Sequence, residues 1–220
     1  MAGGFGAGAA AEPGRICYTP SMGAIVLAGG KSRRMGSPKA DLRLGDKRLL
    51  EWVVGALRGR FAEILVVAPI PPQSTPSWAR LVTDEPEGCG PLGALYAGLR
   101  AAREEKNFVA GCDTPFLRPR LAEGLMAMAE GQDVVVPAGE DGLHPLCGVY
   151  SRACLEAIHQ TLEAGERRVT SFFQMVKVRL VKAEELRHFD PQLVSLFNIN
   201  TPEEMIAAER LSVSLRLEEG

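Results

Sequence analysis

From residue 22 onward the chain alternates short apolar runs with longer stretches in which apolar residues recur every three or four positions. A short apolar run suits a strand buried on both sides, whereas the longer period lines apolar side chains along one helix face. On this reading strands lie at 23–28, 63–68, 81–83, 108–111, 133–137 and 177–181, and helices at 47–58, 92–103, 119–130, 151–162, 169–175 and 202–209. In 47–58, Leu49, Leu50, Val53, Val54 and Leu57 share one side, which marks a helix. Residues 146–150 are expected as an edge strand and 197–198 as a short strand near the end. No segment repeats another. Strands alternating with helices of about 10–15 residues imply a mostly parallel sheet covered on both faces, a three-layer α/β/α architecture. In such sheets ligands bind beyond the carboxyl ends of the strands, so the loops that follow strands carry the chemistry.

Composition supports a single such domain. The 220 residues are 46% hydrophobic and 24% charged, the balance of a globular chain with a real core. Residues 1–21 are rich in Gly and Ala without hydrophobic periodicity, so they are expected to form a disordered tail. The domain is then expected over 22–210, with a short C-terminal tail at 211–220. Against 27 Asp and Glu stand 25 Lys and Arg, a net charge of −2, which argues against a protein that coats nucleic acid or an anionic membrane. Cys17, Cys89, Cys112, Cys147 and Cys154 are odd in number and widely spaced, so they read as reduced thiols of a cytoplasmic protein rather than a disulfide framework or a zinc site. No apolar run approaches the roughly 18 residues that a bilayer span needs, and 1–21 lack the basic start and apolar stretch of a secretory signal.

The loop after the first strand, Leu27-Ala28-Gly29-Gly30-Lys31-Ser32-Arg33-Arg34-Met35-Gly36-Ser37-Pro38-Lys39, changes the picture. Its Gly-Lys-Ser is not a Walker loop, which would need Gly where the chain has Ile25, and no G-x-G-x-x-G runs through it. Paired glycines nevertheless let backbone N–H groups approach an anion without Cβ obstruction. Lys31, Arg33, Arg34 and Lys39 place four positive charges within nine residues, with no acid among them. A small polyphosphate is the fitting guest.

This loop resembles the signature of nucleotidyltransferases with a Rossmann-like fold of the nucleotide-diphospho-sugar transferase type. Later motifs sharpen the resemblance to the molybdenum cofactor guanylyltransferase family. They are Asp84 followed by Gly88, Gly90, Pro91, Leu92 and Gly93; Gly111-Cys112-Asp113-Thr114-Pro115-Phe116; His144-Pro145; Gly165-Glu166-Arg167-Arg168; and Phe197-Asn198-Ile199-Asn200-Thr201-Pro202-Glu203-Glu204. Where some relatives carry an asparagine after the second strand, this chain has prolines at 69, 71 and 72.

The resemblance implies transfer of GMP from GTP to Mo-molybdopterin with release of pyrophosphate, and dependence on Mg2+. Cytidylyl transfer to the same cofactor and nucleotidyl transfer to a sugar phosphate are the alternatives in chemistry; a noncatalytic nucleotide-binding cofactor carrier is the alternative in class. Handing on a labile cofactor further implies cofactor-accepting apo-enzymes and other biosynthesis proteins as partners. Lys39, Arg34 and Asp113 are expected at the reaction centre, with Asp113 on the metal. Leu27, Ala28, Gly29, Gly30, Lys39, Asp84 and Asp113 are expected on the nucleotide, and Asn198, Asn200, Arg167, Arg168 and His144 on the acceptor. Each has a structural alternative. Asp113 also suits an Asx turn or a helix cap, Asp84 a bond to its own loop, Asn198 and Asn200 caps of the last helix, and His144 a turn before Pro145. Cys112 reads as core, because in-line transfer needs no thiol.

Overall fold

The computed structural model describes residues 22–29, 38–83, 89–139 and 141–218, with side chains to 215. The chain begins with β1 (Met22–Leu27), whose residues point alternately to opposite faces: Ala24 and Val26 into one apolar cluster, Ile25 and Leu27 into the other. A 3-10 turn at Lys39–Asp41 leads to a hairpin of β2 (Arg43–Leu44) and β3 (Lys47–Arg48), then α1 (Leu49–Leu57), β4 (Glu63–Ala68) and β5 (Arg80–Thr83). Next come α2 (Gly90–Ala101), β6 (Lys106–Gly111), α3 (Pro119–Ala127), β7 (Val134–Gly139), β8 (Gly142–Leu143) and β9 (Cys147–Ser151). The chain finishes with α4 (Leu155–Glu163), a 3-10 stretch at Val169–Met175, β10 (Val178–Lys182), α5 (Ala183–Leu186), a 3-10 turn at Val194–Leu196 and α6 (Pro202–Glu218).

The strands form one sheet in the order β10-β7-β9-β6-β1-β4-β5, with β8 paired to β7. β1 lies parallel to both β4 and β6, β4 parallel to β5, and β10 parallel to β7. One face is covered by α1 and α3 through Leu50, Val53, Leu57, Leu121 and Leu125, the other by α2 and α4 through Leu95, Leu99 and Ile158. The expected three-layer architecture is therefore what the chain adopts. Contact is close at Gly98 in α2, where a Cβ would sit 2.7 Å from Ile25 Cγ2. No helix among the described residues is long and apolar enough to cross a membrane.

Four expectations are corrected. The strand expected at an edge is internal: Cys147–Ser151 is buried at every position and runs antiparallel between β6 and β7. Gly148 permits this, since a Cβ there would lie 2.7 Å from the Val135 carbonyl oxygen. The helix expected from 47 begins at Leu49, because Lys47 and Arg48 pair back on Leu44 and Arg43. Residues 197–198 form no strand; Ile199 N donates one bond to Asp113 O at 2.9 Å. The last helix continues to Glu218 through the residues expected as a tail, and Leu211 and Leu215 pack with Leu44, Leu49 and Phe116.

Candidate active site

Three strand ends converge at the carboxyl edge of the sheet. Ala28 N donates to Val67 O at 2.8 Å, Cys112 N to Leu27 O at 3.0 Å, and Gly111 N to Leu146 O at 2.9 Å. The residues leaving β1 and β6 are therefore held side by side. Asp113, two residues beyond the end of β6, projects its carboxylate across this edge. Gly111 makes room for it, because a Cβ on Gly111 would collide with Asp113 Oδ1.

Lys39 approaches from the opposite side. Its Nζ lies 2.8 Å from Asp113 Oδ2 and 2.6 Å from Asn200 Oδ1, so it donates to both. The turn that carries it is anchored by Asp41, whose Oδ1 accepts from Arg48 Nη1 and from Gln73 N, each at 3.1 Å. Asp41 was not among the sequence candidates, because only the fold brings Arg48 and Gln73 to it. The bond to Gln73 ties the loop after β4, with its prolines at 69, 71 and 72, directly to the lysine turn.

The segment bearing Asn198 and Asn200 is held by a buried knot. Asp190 is fully buried; its Oδ2 accepts from Ser195 N at 2.8 Å and its Oδ1 lies 3.6 Å from Arg118 Nε. Ser195 Oγ accepts from Arg118 N at 2.9 Å, which binds the segment to the start of α3. Capping of α6 falls to other residues: Glu204 N donates to Thr201 Oγ1, and Glu204 Oε2 accepts from Thr201 N. Asn200 and Asn198 are thus available to the pocket, a space of about 220 Å3 lined with Asp113 and His144.

Arg167 and Arg168 are not brought to that space. Arg167 lies against the start of α2, where a Cβ on Gly90 would be 3.5 Å from its Cβ. Its Nη1 donates to the carbonyls of Leu162 and Glu166. Gly90 itself takes a positive φ of 65°, which favours glycine there. His144 is nearly buried and its Nε2 is 2.9 Å from Asp141 Oδ1, an acid that sequence reasoning did not select. That bond holds the Asp141 carboxyl below its usual range. Burial pushes the Cys112 thiol well up, which fits a core role. Gly30, Arg34 and Asp84 lie outside the described residues. A cavity of about 380 Å3 between α1, Phe116 and α6 lies apart from the Lys39–Asp113 pair and is lined by neither residue.

The arrangement puts one cation, one carboxylate and two amides together at the carboxyl edge of the sheet, where the ends of β1 and β6 lie side by side. Residues 24–180 match the model of the MobA-like NTP transferase domain. A probable molybdenum cofactor guanylyltransferase of Pelotomaculum thermopropionicum is 38% identical over 192 residues, covering 87% of this chain and 94% of that protein. The molybdenum cofactor guanylyltransferase of Desulfosudis oleivorans is also 38% identical, covering 84% of this chain and 93% of its own. Among solved structures, molybdopterin-guanine dinucleotide biosynthesis protein A of Archaeoglobus fulgidus superposes with a TM-score of 0.77 at 29% identity, covering 87% of this chain and 98% of that one. A 2-C-methyl-D-erythritol 4-phosphate cytidylyltransferase of Thermus thermophilus shares the fold, with a TM-score of 0.64 at 23% identity. With its NTP transferase domain matched and its relatives aligned over most of their length, this chain belongs to the molybdenum cofactor guanylyltransferase family.

Proposed function

We propose that this protein transfers GMP from GTP to the terminal phosphate of Mo-molybdopterin, releasing pyrophosphate and forming the guanine dinucleotide form of the cofactor. The observation that carries this reading is the convergence of Lys39, Asp113 and Asn200 at the junction of β1 and β6. The nucleotide lies over the ends of β1, β4 and β5, and the acceptor over the end of β6, the start of β9 and the end of β7.

An oxygen of the acceptor phosphate attacks the α-phosphorus of GTP; the bond to the bridging oxygen breaks, and pyrophosphate leaves with the electron pair. The attacking phosphate is already ionised, so the site needs positive charge more than a general base. Lys39 supplies a fixed cation between the two anions. The backbone of Leu27, Ala28 and Gly29, with Gly30 and Arg34, serves the triphosphate, and Asp84 serves the nucleoside. The position of Arg167 beside Gly90 at the start of α2 supports a role toward the nucleotide rather than the acceptor. Asn198, Asn200 and His144 serve the acceptor.

Asp113 suits Mg2+. Among the described residues no group of three His, Cys, Asp or Glu converges, but magnesium at phosphates needs only one or two carboxylates with water and phosphate oxygens. Asp113 is the acid lining the small pocket, and the missing Cβ at Gly111 keeps its Oδ1 clear. When bound there, the metal supplies Lewis-acid stabilisation of charge on the phosphates. A crystal soaked with GTP and MgCl2 tests this reading: metal at Asp113 and phosphates beside Lys39 are expected, and a triphosphate bound away from both contradicts it.

A further inference from the structure

The carboxyl edge of the sheet does not end at the Asp113 pocket. It continues past the start of β9 to the end of β7, where a cavity of about 490 Å3 opens between Gly139, Asp141 and the segment 187–197. This cavity and the smaller one of about 220 Å3 share His144 and Leu196 as a common wall. The two spaces are therefore neighbours along the same edge of the sheet.

That space has a built wall. His144 is fixed by its main chain, with N donating to Pro137 O and O accepting from Cys147 N, each at 3.0 Å. Its Nε2 holds Asp141 Oδ1 at 2.9 Å, while Asp141 Oδ2 takes no hydrogen bond among the described residues. Gly139 is what permits the pair, because a Cβ there would lie 2.7 Å from Asp141 Oδ1 and 3.0 Å from His144 Nε2. Gln192 and Arg187 also line the cavity, with Arg187 Nη1 tethered to Pro191 O at 3.0 Å. Phe197 adds an aromatic surface. The cavity thus offers a carboxylate, donor groups and an aromatic ring, the set that recognises a flat heterocycle carrying paired N–H donors beside a carbonyl acceptor.

We infer that this cavity receives the pterin end of the acceptor, with Asp141 accepting from the amino-pyrimidinone edge, Arg187 and Gln192 donating to its carbonyl and ring nitrogen, and His144 acting as a positioning residue that fixes Asp141. The inference rests on the acceptor proposed above. It concerns Asp141, Arg187 and Gln192, none of which touches the Lys39–Asp113 pair.

Two measurements on the full chain separate the inference from the function on which it rests. The first is fluorescence titration with free pterin in the absence of nucleotide; the second is steady-state pyrophosphate release with GTP, Mg2+ and Mo-molybdopterin. Both variants are expected to weaken pterin binding and to raise the KM for Mo-molybdopterin: Asp141→Asn by about ten- to a hundred-fold, the range of hydrogen bonds to a charged group, and Gln192→Ala by about two- to ten-fold, the range of neutral ones. The KM for GTP stays at the wild-type value, a readout that a merely structural defect would move. Acceptor KM and pterin affinity unchanged in both variants, with wild-type turnover intact, overturn the cavity assignment. Wild-type protein that binds pterin through Asp141 yet releases no pyrophosphate with GTP and acceptor leaves the cavity assignment standing and overturns the proposed function instead.

Discussion

Lys39 Nζ and Asp113 Oδ2 meet at 2.8 Å although 74 residues separate them in sequence. The two side chains are only 18% and 17% exposed, so the pair is partly buried and less screened than a surface ion pair. A partly buried cation held against a carboxylate where two strand ends meet is placed to serve incoming anions. Lys39→Ala is therefore expected to lower kcat by about two to three orders of magnitude at saturating substrates. Its stability to urea should fall by about 1.5–3 kcal/mol, the loss of a hydrogen bond to a charged group. Wild-type turnover in that variant would remove Lys39 from the reaction centre.

Gly111→Ala tests the same centre by geometry. The new methyl would meet Asp113 Oδ1, the free end of a side chain that can swing aside at little cost to folding. Turnover should fall by at least about tenfold while thermal stability changes by less than about 1 kcal/mol. Steady-state kinetics beside thermal unfolding would show the split; equal loss of both would mean that Gly111 serves packing alone.

Much of this was legible from sequence, and the exceptions have physical causes. The run Glu63–Ala68 is apolar at nearly every position, and a buried parallel strand needs no more than that. The same signal at Cys147–Ser151 gave the strand but not its place, because insertion between β6 and β7 depends on partners far along the chain. Lys39 and Asp113 stood out through their motifs. Asp41 and Asp141 did not, since each is an ordinary loop acid until the fold brings Arg48 or His144 to it. Arg167 was legible as a cation, but its place beside Gly90 follows from how the loop after α4 crosses the start of α2.

The Arg118–Asp190–Ser195 knot should show in stability. Asp190→Ala leaves the buried Ser195 N–H without its acceptor and removes the carboxylate 3.6 Å from Arg118 Nε, a cost of about 1–3 kcal/mol. Chemical denaturation would measure it. Because this knot holds the segment carrying Asn198 and Asn200, the KM for the acceptor should also rise more than the KM for GTP.

The thiols separate by burial. Burial pushes the Cys147 and Cys154 thiols up to about 12 and raises Cys112 further, so none is ionised near neutral pH. Among the described cysteines, only the half-buried Cys89 should react with a disulfide reagent in the native protein. The others should react only on unfolding. Cys112→Ala should turn over within a few-fold of wild type, because no covalent intermediate on sulfur forms.

Guanylyl transfer itself leaves a direct product, pyrophosphate. Pyrophosphate release followed with GTP or CTP, with and without Mo-molybdopterin, in the presence of Mg2+, tests it most directly. Release with GTP only when the acceptor is present, and little or none with CTP, is expected; preference for CTP, or GTP binding without pyrophosphate release in the complete mixture, would contradict guanylyl transfer.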